Sequence, residues 1–314
     1  MWRYVLKRIL MLIPVVIGVS FIIYFVMDLA PGNALDLMYP DASVEEMEYY
    51  IHAYGYDRSV LYRYGLYMKD LIRGDLGVSI KTGIPVMETY MERLPATAIL
   101  ALGSITLCHV LALPLGIFSA VKRGTIWDNM CMLLSILGLS MPNFWLGLLL
   151  IIGFSLNIRL FPSGGFRDGF LSLVLPAITI GTGMMARLTR TTRSSMVDVL
   201  NSDYLRTARS KGVKEKNIVQ KHALKNALIP IITVSGSQMA GSLGGAVLTE
   251  TVFSWPGVGR MIVDAIGERD STTVTGAIIM TTILSGLILL VVDLLYAVVD
   301  PRIKAQYAKG GKKA

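Results

Sequence analysis

Charge is scarce in this chain. Of its 314 residues, 17% are Asp, Glu, Lys or Arg, against about a quarter in soluble domains. There are two cysteines, Cys108 and Cys131. Both fall in or beside apolar runs, which leaves no disulfide framework or thiolate metal site and makes them packing residues. The three histidines, His52, His109 and His222, lie far apart. With no H-E-x-x-H, the zinc metalloproteases drop out. His109 is the one candidate intramembrane ligand; the other reading is a hydrogen-bonded core histidine. No G-x-x-x-x-G-K-[ST] occurs, so the chain has no phosphate loop of its own. The long apolar runs also lack carboxylates. Only Asp28, Glu250 and Asp293, at their ends, approach the intramembrane acids that proton and ion relays use.

What is plentiful is apolar: 53% of the residues are hydrophobic. Six uncharged runs, at 9–27, 94–121, 129–158, 169–186, 226–249 and 271–292, are each long enough to cross a hydrocarbon layer as a helix. The first follows Arg3, Lys7 and Arg8 and exceeds the 7–15 residues of a signal-peptide core, so it reads as a retained helix. In the third, Pro142 removes a backbone donor and should kink or interrupt the helix. The fifth concentrates Ser235, Gly236, Ser237, Ala240, Gly241, Ser242, Gly244, Gly245 and Ala246, which permit close helix approach or line a pore. Gln238 in its middle needs a polar partner.

A net charge of +8 suits nucleic acid in a soluble protein. Here the cations cluster between apolar runs, which favours the positive-inside bias of a membrane protein and argues against nucleic acid. Residues 28–94 hold eleven acidic and six basic residues, a net −5; residues 187–226 hold ten basic and three acidic, a net +7. The two segments are therefore expected on opposite sides, with 28–94 outside. The basic Lys122-Arg123 turn, the 187–226 block and both termini would be inside. Within 28–94, short helices are predicted over 43–52 and 58–72, the first opened by a Ser43…Glu46 capping box, and a turn over 74–79.

Two stretches carry more specific patterns. At the start of 203–230, Tyr204, Leu205 and Ala208 continue from Leu200 at helical spacing, with Arg206, Arg209 and Lys211 interleaved. Gly212 ends that helix, and Ile218, His222, Leu224, Ala227 and Leu228 mark a second one before Pro230 opens the next apolar run. The second stretch, 250–260, reads as a helix exit with Phe253 and Trp255 suited to an interface, then a Pro256-Gly257 turn. Residues 261–266 are too few to cross and should lie at, or dip into, the membrane.

Tyr204-Leu205-Arg206-Thr207-Ala208, Gly212 and Ala227-Leu228-Ile229-Pro230 resemble the EAA loop of ABC importer permeases, in the dipeptide, oligopeptide and nickel group. Arg206-Thr207-Ala208 stands where that family has Glu-Ala-Ala. The same group is matched in order by Pro31-Gly32, Gly55-Tyr56-Asp57, Tyr64-Gly65, Gly74-Asp75-Leu76-Gly77 with Ser79, and Arg93-Leu94-Pro95-Ala96-Thr97. The ETVFSWPG string with Gly259-Arg260, and Arg269-Asp270, complete the series.

The resemblance implies an all-α integral membrane protein of six transmembrane helices. Helix 1 would end at 27, a polar external segment would span 28–94, and a permease core at 95–303 would carry a coupling loop at 187–229, ahead of a basic cytoplasmic tail at 304–314. It implies a multi-pass protein of a bacterial or archaeal inner membrane that transports di- or oligopeptides and catalyses nothing itself. The expected partners are a homologous second permease, two ATPase subunits that hold Mg-ATP, an external solute-binding protein, the lipid bilayer and the peptide cargo. This chain would bind no cofactor or metal. ATPase coupling would fall to Asp203, Tyr204, Arg206, Ala208, Arg209 and Gly212. The pathway and its external mouth would fall to Gln238, Glu250, Phe253, Trp255, Pro256, Arg260 and Asp264. A nickel-complex importer of the same group is the nearest alternative; a stand-alone channel or ion-driven transporter is the alternative from another class.

Overall fold

A computed structural model describes residues 2–29, 35, 39–53 and 55–299. Pro31-Gly32 and the tail beyond 299 lie outside the described residues. The only β pairing among those described is a single antiparallel bridge, Val78 to Pro85.

Helix α1 (Trp2–Leu29) is followed by the two small helices expected in the polar segment, α2 (Val44–Ala53) and α3 (Val60–Ile72). The capping box is formed: the Ser43 amide donates to Glu46 Oε2 at 2.8 Å, and the Glu46 amide donates to Ser43 Oγ at 3.3 Å. Helix α4 (Val86–Val121) begins eight residues earlier than the apolar run alone suggests. Helices α5 (Ile126–Ser140) and α6 (Asn143–Leu150), the latter prolonged by a π turn to Asn157, meet at a 99° bend. The break falls at Met141-Pro142, where the ring removes a donor and forces the preceding residue to be extended.

Helix α7 (Phe170–Leu200) packs along α4, and the two run parallel. The reason is a stripe of small residues on α4: Ala101, Ser104, Cys108, Ala112, Gly116 and Ala120 are all buried, repeating every three to four positions. At Gly116 an added Cβ would sit 2.6 Å from Thr192 Cβ, and at Gly181 one would sit 3.3 Å from the Ser104 carbonyl oxygen. Helices surrounded by lipid gain nothing from apolar surface as such, so this close van der Waals contact is what joins them.

After α7 come α8 (Asp203–Ser210), one turn of α9 (Glu215–Asn217), a π turn over Ile218–Ala223 and α10 (Leu224–Gly245). Two sequence expectations change here. The block from Arg187 is not a loop at its start, because α7 continues four turns past Ala186. The second short helix also does not stand alone: it runs into α10, with Pro230 inside that helix. The chain then turns through α11 (Val247–Val252) and α12 (Val258–Gly267) into α13 (Ser271–Val299).

Among the described residues four helices are long and apolar enough to cross a membrane: α1, α4, α7 and α13. The bent α5–α6 pair makes a fifth if it counts as one span. Helix α10, the expected fifth crossing, does not meet the same standard. Ser235, Gly236, Ser237 and Gln238 in its middle dilute its apolar character. Helix α1 lies antiparallel to α13: Tyr4 donates to Asp293 Oδ2 at 2.9 Å and Arg8 pairs with the same carboxylate at 2.7 Å. At the other end of α1, Asp28 pairs with Arg63 of α3. Both terminal ends of the bundle thus lie on the side of α8.

Candidate functional site

At the α8 end, one helix stands out from the bundle. Its Leu205 is fully buried and belongs to one apolar cluster with Leu188 and Met196 of α7, Ile218, Val219 and Ala223 of the π turn and Ala227 and Ile231 of α10. Every other α8 residue except Ala208 is exposed. The helix ends in a Schellman motif: the Gly212 amide donates to the Arg209 carbonyl at 2.9 Å and the Val213 amide to that of Ala208 at 3.2 Å. Gly212 has φ +74°, the left-handed conformation that closes this motif, and a Cβ there would meet only open space. Arg209 reaches back as a fork to both oxygens of Glu215, at 3.1 and 2.9 Å, and holds that carboxyl below its ordinary range. Tyr204 Oη accepts from Asn226 Nδ2 at 2.7 Å. Asp203 and Arg206 point outward, their side chains 96% and 77% exposed, with only a loose 3.6 Å contact between them. Of the six expected coupling residues, Tyr204, Ala208, Arg209 and Gly212 hold the element together, while the side chains of Asp203 and Arg206 are exposed.

Behind α8 sits a buried ion pair that sequence reading missed. Asp128, 2% exposed, accepts both arms of Arg193 at 2.6 and 2.7 Å, the Ser119 hydroxyl at 2.5 Å and the Gly124 amide at 3.0 Å. It ties the α4–α5 turn to the extended part of α7. The signal was present as one acid beside an apolar run, but its partner lies 65 positions away.

At the opposite end, the 250–260 string folds into a corner between α11 and α12. The Glu250 carboxyl is fully buried and accepts from the Thr97 hydroxyl at 2.7 Å and the Arg260 amide at 3.0 Å. Thr97 Oγ in turn accepts from the Val258 amide at 2.8 Å. Side chains from two other helices thus satisfy amides that open α12: Thr97 of α4 takes that of Val258 and Glu250 of α11 that of Arg260. A Cβ on Gly257 would collide with this carboxyl, and one on Gly259 would lie 2.7 Å from Val247 Cα. Trp255, also fully buried, donates from Nε1 to the Ala96 carbonyl at 2.9 Å, and its ring centre is 4.6 Å from that of Phe166. Phe253 is buried against Gly147 and offers its carbonyl to the Gly165 amide at 2.8 Å. Glu250, Phe253 and Trp255 therefore face the protein interior here. Arg260 and Asp264, 3.6 Å apart, are the pair left in the open. Gln238 is separate: its Nε2 donates to the Met184 carbonyl at 2.8 Å, and its buried Oε1 has no partner among the described residues.

A second clamp lies beside this corner. Asp270, 3% exposed, accepts from the hydroxyls of Ser79 at 2.6 Å and Thr273 at 2.7 Å and from the Thr273 amide at 3.1 Å. The 74–79 turn is thereby fastened to the start of α13. His109 is hydrogen-bonded on both ring nitrogens, to the Ile105 carbonyl at 2.8 Å and to Ser235 Oγ at 2.6 Å. No three His, Cys, Asp or Glu side chains gather into a possible metal site among the described residues.

Residues 112–305 match the model of the binding-protein-dependent transport system inner membrane component. The chain belongs to that family. It is similar over almost its whole length to curated members. It is 39% identical to the oligopeptide transport system permease protein AppB of Bacillus subtilis (strain 168), across 97% of this chain and 100% of that one. It is 35% identical to the dipeptide transport system permease protein DppB of Escherichia coli (strain K12), across 97% and 99%. It is 37% identical to the glutathione transport system permease protein GsiC of Escherichia coli O6:H1, across 97% and 99%. Among solved structures, a chain of the inward-facing MetNI methionine ABC transporter shares the fold, with a TM-score of 0.58 over 68% of this chain and 97% of that one, at 18% identity. As an inner membrane component, the permease belongs in a membrane as a multi-pass protein, and its family places it among transport subunits rather than enzymes. The separate strings that suggested the family meet in space: 93–97 touches 250–260, and 74–79 touches 269–270.

Proposed function

We propose that this permease forms half of the translocation pathway of an ATP-driven importer for di- or oligopeptides. The permeases named above that it resembles serve oligopeptides, dipeptides and glutathione, all of which are peptides. Hydrolysis of Mg-ATP would reside in two partner ATPase subunits, a second, homologous permease would complete the pathway, and an external solute-binding protein would deliver the cargo. Six crossings are proposed, with the bent α5–α6 pair as the third and α10 as the fifth. The small-residue content of α10 suits a helix that faces the partner permease rather than lipid.

The observation that carries this reading is α8. It is an exposed, amphipathic two-turn helix held to the bundle by one fully buried leucine and stopped by a left-handed glycine. In the proposed cycle the ATPases close on ATP, α8 moves with them, and Leu205 passes that displacement to α7 and α10. Such coupling requires the partners to bind the inward- and outward-open states with different free energies. At the other end, the proposed external mouth is organised by Glu250 and Trp255 from within, and Arg260 and Asp264 present its surface. The test is ATP hydrolysis by the assembled complex with and without peptide-loaded binding protein. Stimulation by peptides supports the reading. Uptake by this chain alone, with no ATPase retained on purification, refutes it.

A further inference from the structure

A cavity of about 1220 Å³ opens at the α12 end, between the end of α1, the α2–α3 region and the α12–α13 corner. Both of its walls are built. One is held by Asp270, whose bonds fix Ser79 and the start of α13, so that Ser79, Ile80 and Thr272 line the space from a braced turn. The other is held by ring contacts of Tyr24 with Tyr64 and Tyr67, at 5.5 and 5.7 Å, and by the Asp28–Arg63 pair. Arg63 also lies over the Tyr56 ring at 5.1 Å.

The charged groups on its lining sort themselves. Asp28 and Arg63 neutralise one another. His52 lies 3.1 Å from Asp57, and Arg58 donates to Tyr62 Oη at 2.8 Å. Arg269 has no acidic partner among the described residues. Its backbone is left-handed, φ +57°, and its amide donates a hydrogen bond to the Ile266 carbonyl at 3.1 Å. The Tyr67 hydroxyl is buried with no hydrogen-bond partner among the described residues. Half-buried Arg269 thus lines a space whose other walls mix tyrosines with Met27, Ile51, Leu66 and Ile80. A planar fork of donors is matched by a carboxylate, and aromatic walls suit side chains of mixed polarity. The volume exceeds that of ordinary small-molecule pockets, about 300–1,000 Å³, and accommodates a few residues of peptide.

We propose that this cavity binds a short peptide by its C-terminal carboxylate, with Arg269 as the anion partner. The proposal rests on the peptide-importer reading above and adds a cargo site on the permease itself, outside the spans.

The test uses the permease–ATPase complex in nanodiscs without solute-binding protein, titrated calorimetrically with trialanine and with trialanine amide. Trialanine is expected to bind at least about tenfold more tightly than the amide, the weight of one charge-assisted hydrogen bond. Arg269→Gln should abolish that preference, and Arg269→Lys should keep part of it. No binding of trialanine, equal binding of the amide, or an unchanged preference in Arg269→Gln overturns the proposal. So does a loss of solute-binding-protein affinity in Arg269→Gln without any peptide binding, which would make the cavity a protein dock. Peptide-stimulated ATP hydrolysis, measured on the same preparation with binding protein present, separates the two levels. If it persists while the cavity binds nothing, only the cavity site falls; if it is missing, the importer reading falls.

Discussion

Glu250 shows how a single residue organises the α12 end. A carboxyl with no exposed surface would be a liability if it stood alone, yet here it receives the Thr97 hydroxyl and the amides of Gly259 and Arg260. Glu250→Leu leaves those donors buried and unpaired, at a cost on the order of 3 kcal/mol or more. Glu250→Gln should cost less, because one acceptor oxygen remains. Gly257→Ala attacks the same contact from the other side by driving a methyl into the carboxyl, and overpacking of that kind costs about 1–3 kcal/mol. Thermal unfolding of the purified protein should rank the variants with Glu250→Leu lowest. If Glu250→Leu matched the wild type, the capping account of this corner would be wrong. Trp255→Ala would open a cavity at a fully buried position, so its effect on transport is expected to come with a loss of stability rather than apart from it.

Among the elements, α8 was the most legible in the sequence and its surroundings the least. Local signals sufficed for it: the spacing of Tyr204, Leu205 and Ala208, then Gly212, which has the expected positive φ. Continuity was not legible. Arg187, Arg190 and Arg193 looked like loop because they are charged, but charge only marks where a helix leaves the membrane, and α7 runs on to Leu200. Pro230 looked like a boundary, yet the π turn over Ile218–Ala223 brings the chain into α10 ahead of it. The external string was legible as a motif, but the burial of Glu250 and Trp255 depends on Ala96 and Thr97, more than 150 positions away. Gly212→Ala should destabilise the turn by about 1 kcal/mol, since only the backbone conformation resists it and the space around the Cβ is open. Gly212→Glu adds bulk on the exposed side, so the chain should still fold while the complex loses cargo-stimulated ATP hydrolysis or the ATPase itself. Retained ATPase with wild-type coupling in Gly212→Glu would remove α8 as the transmission element. The Arg209–Glu215 fork beside it is exposed and contributes at most about 1 kcal/mol. Because its carboxyl is lowered from the ordinary 4.5, that contribution is full above this value and is lost only as the pH falls through the lowered one. Coupling should therefore not vary through this pair between about pH 6 and 8.

The same element scale holds the Asp128–Arg193 pair, which makes the α4–α5 turn and α7 one body behind α8. Arg193→Ala leaves a carboxylate that is 2% exposed without its counter-ion, a loss of about 3–5 kcal/mol for breaking a buried pair. Replacing both partners, Asp128→Leu with Arg193→Met, should recover a good part of that loss, because neither charge is then stranded. A double variant no more stable than Arg193→Ala alone, by thermal unfolding, would show that the two residues act independently.

At the scale of the whole molecule, orientation follows from where the cations lie relative to a bundle whose ends are now known. The contact of Tyr4 and Arg8 with Asp293 puts the start of α1 and the far end of α13 together. Helices α7 and α10 join through α8 on that same side. The 187–226 block, net +7, therefore shares an end with the basic N-terminus, while the 28–94 segment, net −5, occupies the other. Lys and Arg are retained on the cytoplasmic face during insertion, so α8 should face the cytoplasm, where ATPase subunits could reach it, and α2, α3 and the α12 corner should face outward. Tyr49, 69% exposed on α2, and Lys214, exposed after Gly212, are suitable reporters. The native thiols need removal first, chiefly Cys131, which is half-buried, since Cys108 is shielded in the α4–α7 contact. A membrane-impermeant maleimide applied to intact cells should label Tyr49→Cys and spare Lys214→Cys; inverted vesicles should reverse the pattern. If both cysteines react from the same side, the odd number of crossings between them is lost. The parallel α4 and α7 could not then both be crossings joined by a returning α5–α6 pair, and α8 would no longer be placed to meet an ATPase.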